Sequence, residues 1–273
     1  MDPLSILLAH TAPRASMFFA GNLCQTSLSQ DYPEGGHLHL LNAGAMTLYQ
    51  EFDEPRLLTE PCLILFPRGL KHSMEPVDAE GCDLVCASVS FGQGKQSPIQ
   101  MALPNVLVLP LSEQPELKPL VTLLFSEAFA NQYGQAPIIT RLLETVFILL
   151  LRYIVDNGHT QQGILAGLSD PRLARAIGVM HKRYEEKWTV ATLAKEAGMS
   201  RSRFAAHFQL LTGLSPLEYL TQWRMMMACQ QLLAGEPIAQ VALSGGYSGS
   251  ATFARAFERE FGMPPGRWLK AHR

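Results

Sequence analysis

The chain has 273 residues, long enough for two ordinary domains, and its 47% hydrophobic and 17% charged residues are the balance of a soluble globular protein. The net charge of −2 hides a division: residues 1–169 hold 8 Lys and Arg against 16 Asp and Glu, whereas residues 170–273 hold 14 against 8. An acidic first part is thus joined to a basic second part suited to a polyanion.

The start, MDPLSILLAHTAPRAS, lacks a basic stretch ahead of its short apolar run, which argues against a signal peptide. The most apolar run, TVFILLL at 145–151, is flanked by Arg141, Glu144 and Arg152, too close for a membrane span. A cytoplasmic protein is expected, so Cys24, Cys62, Cys82, Cys86 and Cys229 are read as thiols rather than a disulfide framework.

In chain order, residues 17–110 read as strands. MFFAGNLC, HLHLLNAG, AMTLYQEF, CLILFP, CDLVCASVSF and NVLVLP are separated by Gly, Pro and acidic clusters, the pattern of a small all-β barrel or sandwich. His37 and His39 stand two apart and so share one sheet face. After Pro115 the spacing becomes helical in two segments joined at Tyr133-Gly134. The second is apolar nearly all round, which suits packing on the barrel and on a symmetry mate, or simple cover of one barrel face. Residues 157–169 are small and polar and read as a linker. From Asp170-Pro171, an N-cap and first-turn pair, seven helices follow.

Residues 189–213, TVATLAKEAGMSRSRFAAHFQLLTG, predict a helix-turn-helix unit. Leu193, Ala194 and Ala197 face inward, Gly198 takes the positive φ that stops the first helix, and Ser200 caps the next. Phe204 and Phe208 stand four apart on its buried face. Residues 237–262 repeat the pattern with Ile238, Val241 and Ala242, a Gly245-Gly246 turn, and the pair Phe253 and Phe257. The helix between them, 215–234, is roughly 30 Å long, so it can hold two reading helices about one DNA turn apart.

The basic half resembles the DNA-binding domain of the AraC/XylS family of transcriptional regulators. The residues that carry the likeness include Leu193-Ala194, Gly198-Met199-Ser200, Phe204, Phe208, Gly213, Ser215-Pro216, Tyr219, Arg224, Ala239, Gly246-Tyr247, Phe253, Ala256-Phe257, Phe261-Gly262 and Pro265. The resemblance implies DNA contacts from Arg201, Ser202, Arg203 and His207 in the first unit, and from Ser248, Ser250, Thr252 and Arg255 in the second. Two departures stand out. Ala206 occupies a place where the family usually has a basic residue, and Gly249-Ser250 replaces its usual Ser-Glu.

The acidic half is similar to the cupin-type domains of one branch of these regulators, a branch that includes sensors of reactive chlorine species and other electrophiles. GGHLHLLNAGAMTL and LTEPCLILFPRGLKHSM supply the two half-motifs. The implied organisation is α+β: a cupin-like barrel at 1–112, a helical extension at 113–158 that dimerises, a linker at 159–169, and an all-α domain with two helix-turn-helix units at 170–273.

A cupin metalloenzyme supplies His-x-His, a Glu and a last His. Placing Gly44 on the family's strand-ending glycine puts His37 near the Glu position and the usual pair near Gln30 and Tyr32, so an enzyme-type site is incomplete. A different set remains. His39 and His72 are expected to point into the barrel, with Cys24 and Cys86 on strands that can line it, a sound tetrahedral set for Zn²⁺. Without metal, a thiol beside an imidazolium oxidises readily, which makes Cys24 and Cys86 candidate redox residues. The plainer alternative is a pair of buried thiols and hydrogen-bonded histidines; a third is a small organic effector in the barrel.

Three functions compete: a regulator with a sensing barrel, a cupin metalloenzyme with a helical accessory domain, and a DNA-binding protein whose barrel only dimerises. The first is favoured, with double-stranded operator DNA and a second copy of the chain as partners, RNA polymerase as a further contact, and no membrane.

Overall fold

The apolar runs of the acidic half form strands in the computed structural model of the chain, which describes residues 2–24, 35–51, 53–91, 97–130, 132–158, 160 and 162–272. After helix α1 (Pro3–Thr11) come β1 (Arg14–Leu23), β2 (Gly36–Ala43), β3 (Met46–Gln50), β4 (Asp53–Leu58), β5 (Cys62–Phe66), β6 (His72–Pro76) and β7 (Cys82–Ser90). The short helix α2 (Pro98–Ala102) precedes β8 (Leu107–Pro110). Strands β4 and β6 and helix α2 add to the runs read from sequence. Pro55 sits within β4, which is an edge strand and so loses nothing by lacking an N–H. Gln30 and Tyr32 lie outside the described residues.

Two sheets result, a five-stranded one in the order β1-β7-β2-β5-β8 and a three-stranded one in the order β4-β3-β6. Their inner faces meet in one apolar cluster that includes Leu41, Leu48, Phe66, Met74, Leu84 and Cys86. β2 is buried along most of its length. Leu41 joins that inner cluster, while Leu38 and Leu40, of opposite parity to His37, His39 and Leu41, are buried on the other face. That outer face is covered by α3 (Leu117–Ala130) and α4 (Gln135–Asn157), which pack on each other and on β1. The break between them is Gly134, at φ 80°.

The chain divides into two compact units, Thr11–Thr160, and Met1–His10 together with Gln161–Arg273. The sequence reading starts the barrel at residue 1, whereas residues 1–10 group with the far end of the chain in the structure. The structure also corrects the linker at 159–169. Residues Ile164–Ser169 form helix α5, whose Ile164, Leu165 and Leu168 are buried in the second unit, and Gly163 N–H donates to Leu211 O at 2.8 Å.

Seven further helices follow among the described residues: α6 (Pro171–Lys182), α7 (Val190–Glu196), α8 (Arg201–Thr212), α9 (Pro216–Leu233), α10 (Ile238–Ser244), α11 (Ser250–Phe261) and α12 (Pro265–Ala271). Asp170 caps α6 through the N–H groups of Arg172 and Leu173. Ser215 and Glu218 make a reciprocal capping box on α9, with Pro216 at its first position. Ser200 occupies the N-cap of α8 with extended backbone, but its side chain makes no capping bond.

Candidate functional site

The reading face rests on two repeats of the same packing. Phe204 and Phe208 of α8, and Phe253 and Phe257 of α11, are fully buried. Each side chain truncated to Ala would cost about 3–5 kcal/mol. Burying these phenylalanines turns the opposite faces of α8 and α11 outward. Gly246 closes the second turn at φ 75°, and a Cβ there would stand 2.2 Å from Glu185 O, so no other residue fits. Arg224 on α9 donates to the carbonyls of Tyr184 and Glu186 at 2.6 and 2.7 Å and lies over the Tyr247 ring at 5.9 Å. These contacts tie α9 to the loop after α6 and to the turn of the second unit.

Arg201, Ser202 and Arg203 are exposed in the first turn of α8, and Ser248, Ser250, Thr252 and Arg255 are exposed at and on α11. Ser248 and Thr252 hydroxyls lie 3.3 Å apart. His207 is the correction. It is half-buried, and its Nε2 meets Asp170 Oδ2 at 2.7 Å, so this side chain joins α8 to the start of α6 instead of standing free for DNA. Burial alone would raise the Asp170 carboxyl; hydrogen bonds from Arg172, His207 and backbone N–H groups hold it well below the usual carboxylate range.

The second site lies inside the barrel. His37 and His39 project from β2 toward the inner face, and His72 opens β6 in the other sheet. All three are buried, and their ligand nitrogens lie within 4.8 Å of one another. His72 Nδ1–H donates to Leu70 O at 2.7 Å, which leaves its Nε2 lone pair turned to His39 Nε2, 2.9 Å away. Phe66 stacks on the His72 ring with centroids 3.9 Å apart. Among the described residues His39 Nδ1 has no hydrogen-bond partner.

Burial, then the charge of His72, pushes His37 down to about 4. Burial and the other two imidazoles hold His39 well below the usual imidazole range, and burial outweighs the Leu70 bond at His72. The three are therefore neutral at pH 7, the state a metal ligand needs. In a tetrahedral Zn²⁺ site two ligand nitrogens stand roughly 3.3 Å apart; here His39 and His72 Nε2 are 2.9 Å apart and all three ligand nitrogens lie within 4.8 Å. The His72–Leu70 bond is the outer support that sets a ligand's tautomer. The donor set fits a transition ion.

The expected set of Cys24, His39, His72 and Cys86 is not assembled. Cys86 stands opposite His39 in the β2–β7 register, but its thiol lies in the apolar cluster and burial pushes it up to about 12. Cys24 is exposed beyond the end of β1, its S–H donating to Asn22 Oδ1 at 2.6 Å. Phe19 faces Cys86 in the β1–β7 register, and Cys24 lies five residues further on, roughly 17 Å along the strand. His37, assigned to the Glu position from sequence, is the third member of the cluster instead. Its two-residue spacing from His39 is the signal that points to it.

At the β1 and β7 edge, beside α4, lies a cleft of about 520 Å³ lined by Arg14, Ser16, Ser88, Ser90, Thr140 and Arg141, among others.

Comparison with known proteins joins the two sites. Residues 2–156 match the family described as Cupin, and residues 193–271 match the one described as a helix-turn-helix domain. The chain is 31% identical to the RCS-specific HTH-type transcriptional activator RclR of Escherichia coli (strain K12), over 98% of this chain and 97% of that one. It is 24% identical to the HTH-type transcriptional regulator MtrA of Neisseria gonorrhoeae, over 86% of each. The DNA-binding domain of AdpA, solved in complex with a target DNA, is 31% identical over 38% of this chain and 94% of that one, with a TM-score of 0.35. Among the described residues no helix is long and apolar enough to cross a membrane. The chain belongs to the AraC family of DNA-binding transcriptional regulators with an N-terminal cupin domain.

Proposed function

We propose that the barrel of this regulator receives a chemical signal at the His37–His39–His72 centre, and that Arg201, Ser202, Arg203, Ser248, Ser250, Thr252 and Arg255 read the operator. The observation that carries the reading is three buried, neutral imidazoles whose nitrogens converge within 4.8 Å. When bound, a divalent transition ion such as Zn²⁺ supplies a cross-link between the two sheets. His37 and His39 hold the five-stranded side of that link and His72 the three-stranded side, so gain or loss of the ion changes how firmly the sheets are joined.

The RCS specificity of the Escherichia coli relative favours an oxidant as the signal. In this chain an oxidant meets Cys24 first, because Cys62, Cys82 and Cys86 are buried with thiols pushed up to about 11 or 12. The apolar residues exposed on α3 and α4, Leu123, Phe129 and Ile138 with Tyr133 between the helices, favour a homodimer through the helical extension.

The test uses full-length protein stripped with a chelator and DNA selected from a random pool. Zn²⁺ should bind in one equivalent and change DNA affinity at least tenfold, and hypochlorite should shift DNA affinity through Cys24. Stoichiometric Zn²⁺ with unchanged DNA affinity, in the presence and absence of oxidant, would remove the sensing role from this centre. A small organic effector is the second reading, favoured by the cleft beside α4, where Arg14 and the ion pair Arg141–Glu144 offer polar groups; such a molecule would then shift DNA affinity when Zn²⁺ does not.

A further inference from the structure

One helix pattern occurs twice in the DNA-reading unit. α8 and α11 each run for 12 residues. Their phenylalanine pairs share one geometry, with ring centroids 5.6 Å apart for Phe204 and Phe208 and 5.5 Å for Phe253 and Phe257. Each helix ends on a glycine at positive φ, Gly213 at 79° and Gly262 at 70°. Matching the pairs therefore matches the other positions: Ser202 with Ala251, Ala206 with Arg255, and Leu210 with Arg259.

At 3.6 residues per turn, the residue two places after the first phenylalanine points directly away from the buried pair. In α11 that residue is Arg255, which is exposed, and among the described residues no ion pair engages it. Arg259, also exposed, stands one turn further on. In α8 the same place is held by Ala206, which is exposed, with the exposed Ser202 one turn before it. One turn after it comes Leu210, a large apolar side chain left 68% exposed. Arg201 and Arg203 lie off this row, in the first turn of α8. The outward row of α8 is thus small and apolar where that of α11 is cationic.

Two such rows do not read bases in the same way. A guanidinium meets acceptors, on guanine or on phosphate, whereas an alanine offers only van der Waals contact. A polar base edge pressed against Ala206 loses its water and gains no partner. The one apolar group that a base presents in the major groove is the thymine 5-methyl.

We propose that Ala206 reads a thymine methyl group, so that α8 recognises its part of the operator by apolar contact while α11 engages its part through a cation. The operator is then built of two unlike elements, one of them dependent on thymine. The inference rests on the reading that the exposed residues of α8 and α11 contact the operator.

The test selects DNA from a random pool with full-length wild-type protein, with Ala206→Arg and with Arg255→Ala. Ala206→Arg gives α8 the side chain that α11 carries, and arginine is a good helix former, so the fold should stand. It should abolish one thymine preference that the wild-type protein shows, whereas Arg255→Ala should leave that preference in place. Deoxyuridine, which lacks only the methyl, should weaken wild-type binding about fourfold at that thymine. The same replacement should leave binding by Ala206→Arg unchanged. Deoxyuridine without effect on the wild-type protein, or a thymine preference that survives Ala206→Arg, would overturn the assignment. If the wild-type protein enriches no sequence, the operator reading itself falls and the assignment with it; enrichment with no thymine that responds to Ala206→Arg removes the assignment alone.

Discussion

Both units bury histidine, and they use it in opposite ways. In the DNA-reading unit His181 is stacked on Trp223 with centroids 3.6 Å apart, and its Nε2 shares a hydrogen bond with the Tyr219 hydroxyl at 2.5 Å. Burial, then the charge of His10, pushes it down to about 3. Its Nε2 partner is a phenol whose own ionisation burial opposes, so the ring acts as one more aromatic in a core. In the barrel three imidazoles instead face one another, and His39 and His72 share their closest contact, Nε2 to Nε2. Burial lowers the affinity for protons in both places. Only the arrangement in the barrel leaves lone pairs converging on a point where a cation can sit.

The largest expected effect appears through pH and is shared by the two units, so that Zn²⁺ tells them apart. An unfolded chain takes protons on histidine from about 6.5, whereas folded His37 takes one only at about 4, so the unfolded state binds more protons between these values. Stability of the barrel is therefore full above about 6.5 and is lost as pH falls toward 4, by on the order of 3 kcal/mol from His37. His181 gives the DNA-reading unit a loss of the same sign. Thermal unfolding at pH 7.5 and 4.5 should show both; Zn²⁺ should raise the barrel's transition alone, and a rise in both would blur the comparison.

Next comes metal affinity. His39→Ala or His72→Ala should weaken Zn²⁺ binding by about 100-fold in calorimetry, while His181→Ala should change it less than twofold. Equal losses would mean the three-histidine geometry is not the binding set.

A smaller effect distinguishes the units by charge. Replacing Arg203 and Arg255 with Ala should weaken DNA binding about tenfold and reduce the log-log salt slope by about one for each phosphate left without its cation. An unchanged slope would take both side chains off the phosphates. Of similar size is Tyr219→Phe, which removes the partner of His181. It should cost about 1–2 kcal/mol of stability in the DNA-reading unit and leave Zn²⁺ affinity untouched.

Legibility in the sequence follows the range of the interactions. Gly198, Gly246 and the phenylalanine pairs act over four to seven residues, so the helix-turn-helix units and their exposed Arg201, Arg203 and Arg255 are readable directly. Strand parity places His37 and His39 on one face. Strand pairing is not readable, so the sequence groups Cys24 with His39 although the register holds it far along β1, and it leaves His37 aside. Likewise His207 reads as free because Asp170, 37 positions earlier, gives no local sign of reaching it.

The sequence by itself determined the two repeated reading units and the strand character of the acidic half, because turns, caps and side-chain periodicity are properties of neighbouring residues. Tertiary structure alone decided that His39 meets His72 across 33 positions and that Gln230 holds His10 across 220. Those contacts depend on the order of strands in two sheets and on which helix covers which, and burial then lowers the proton affinity of the three imidazoles involved.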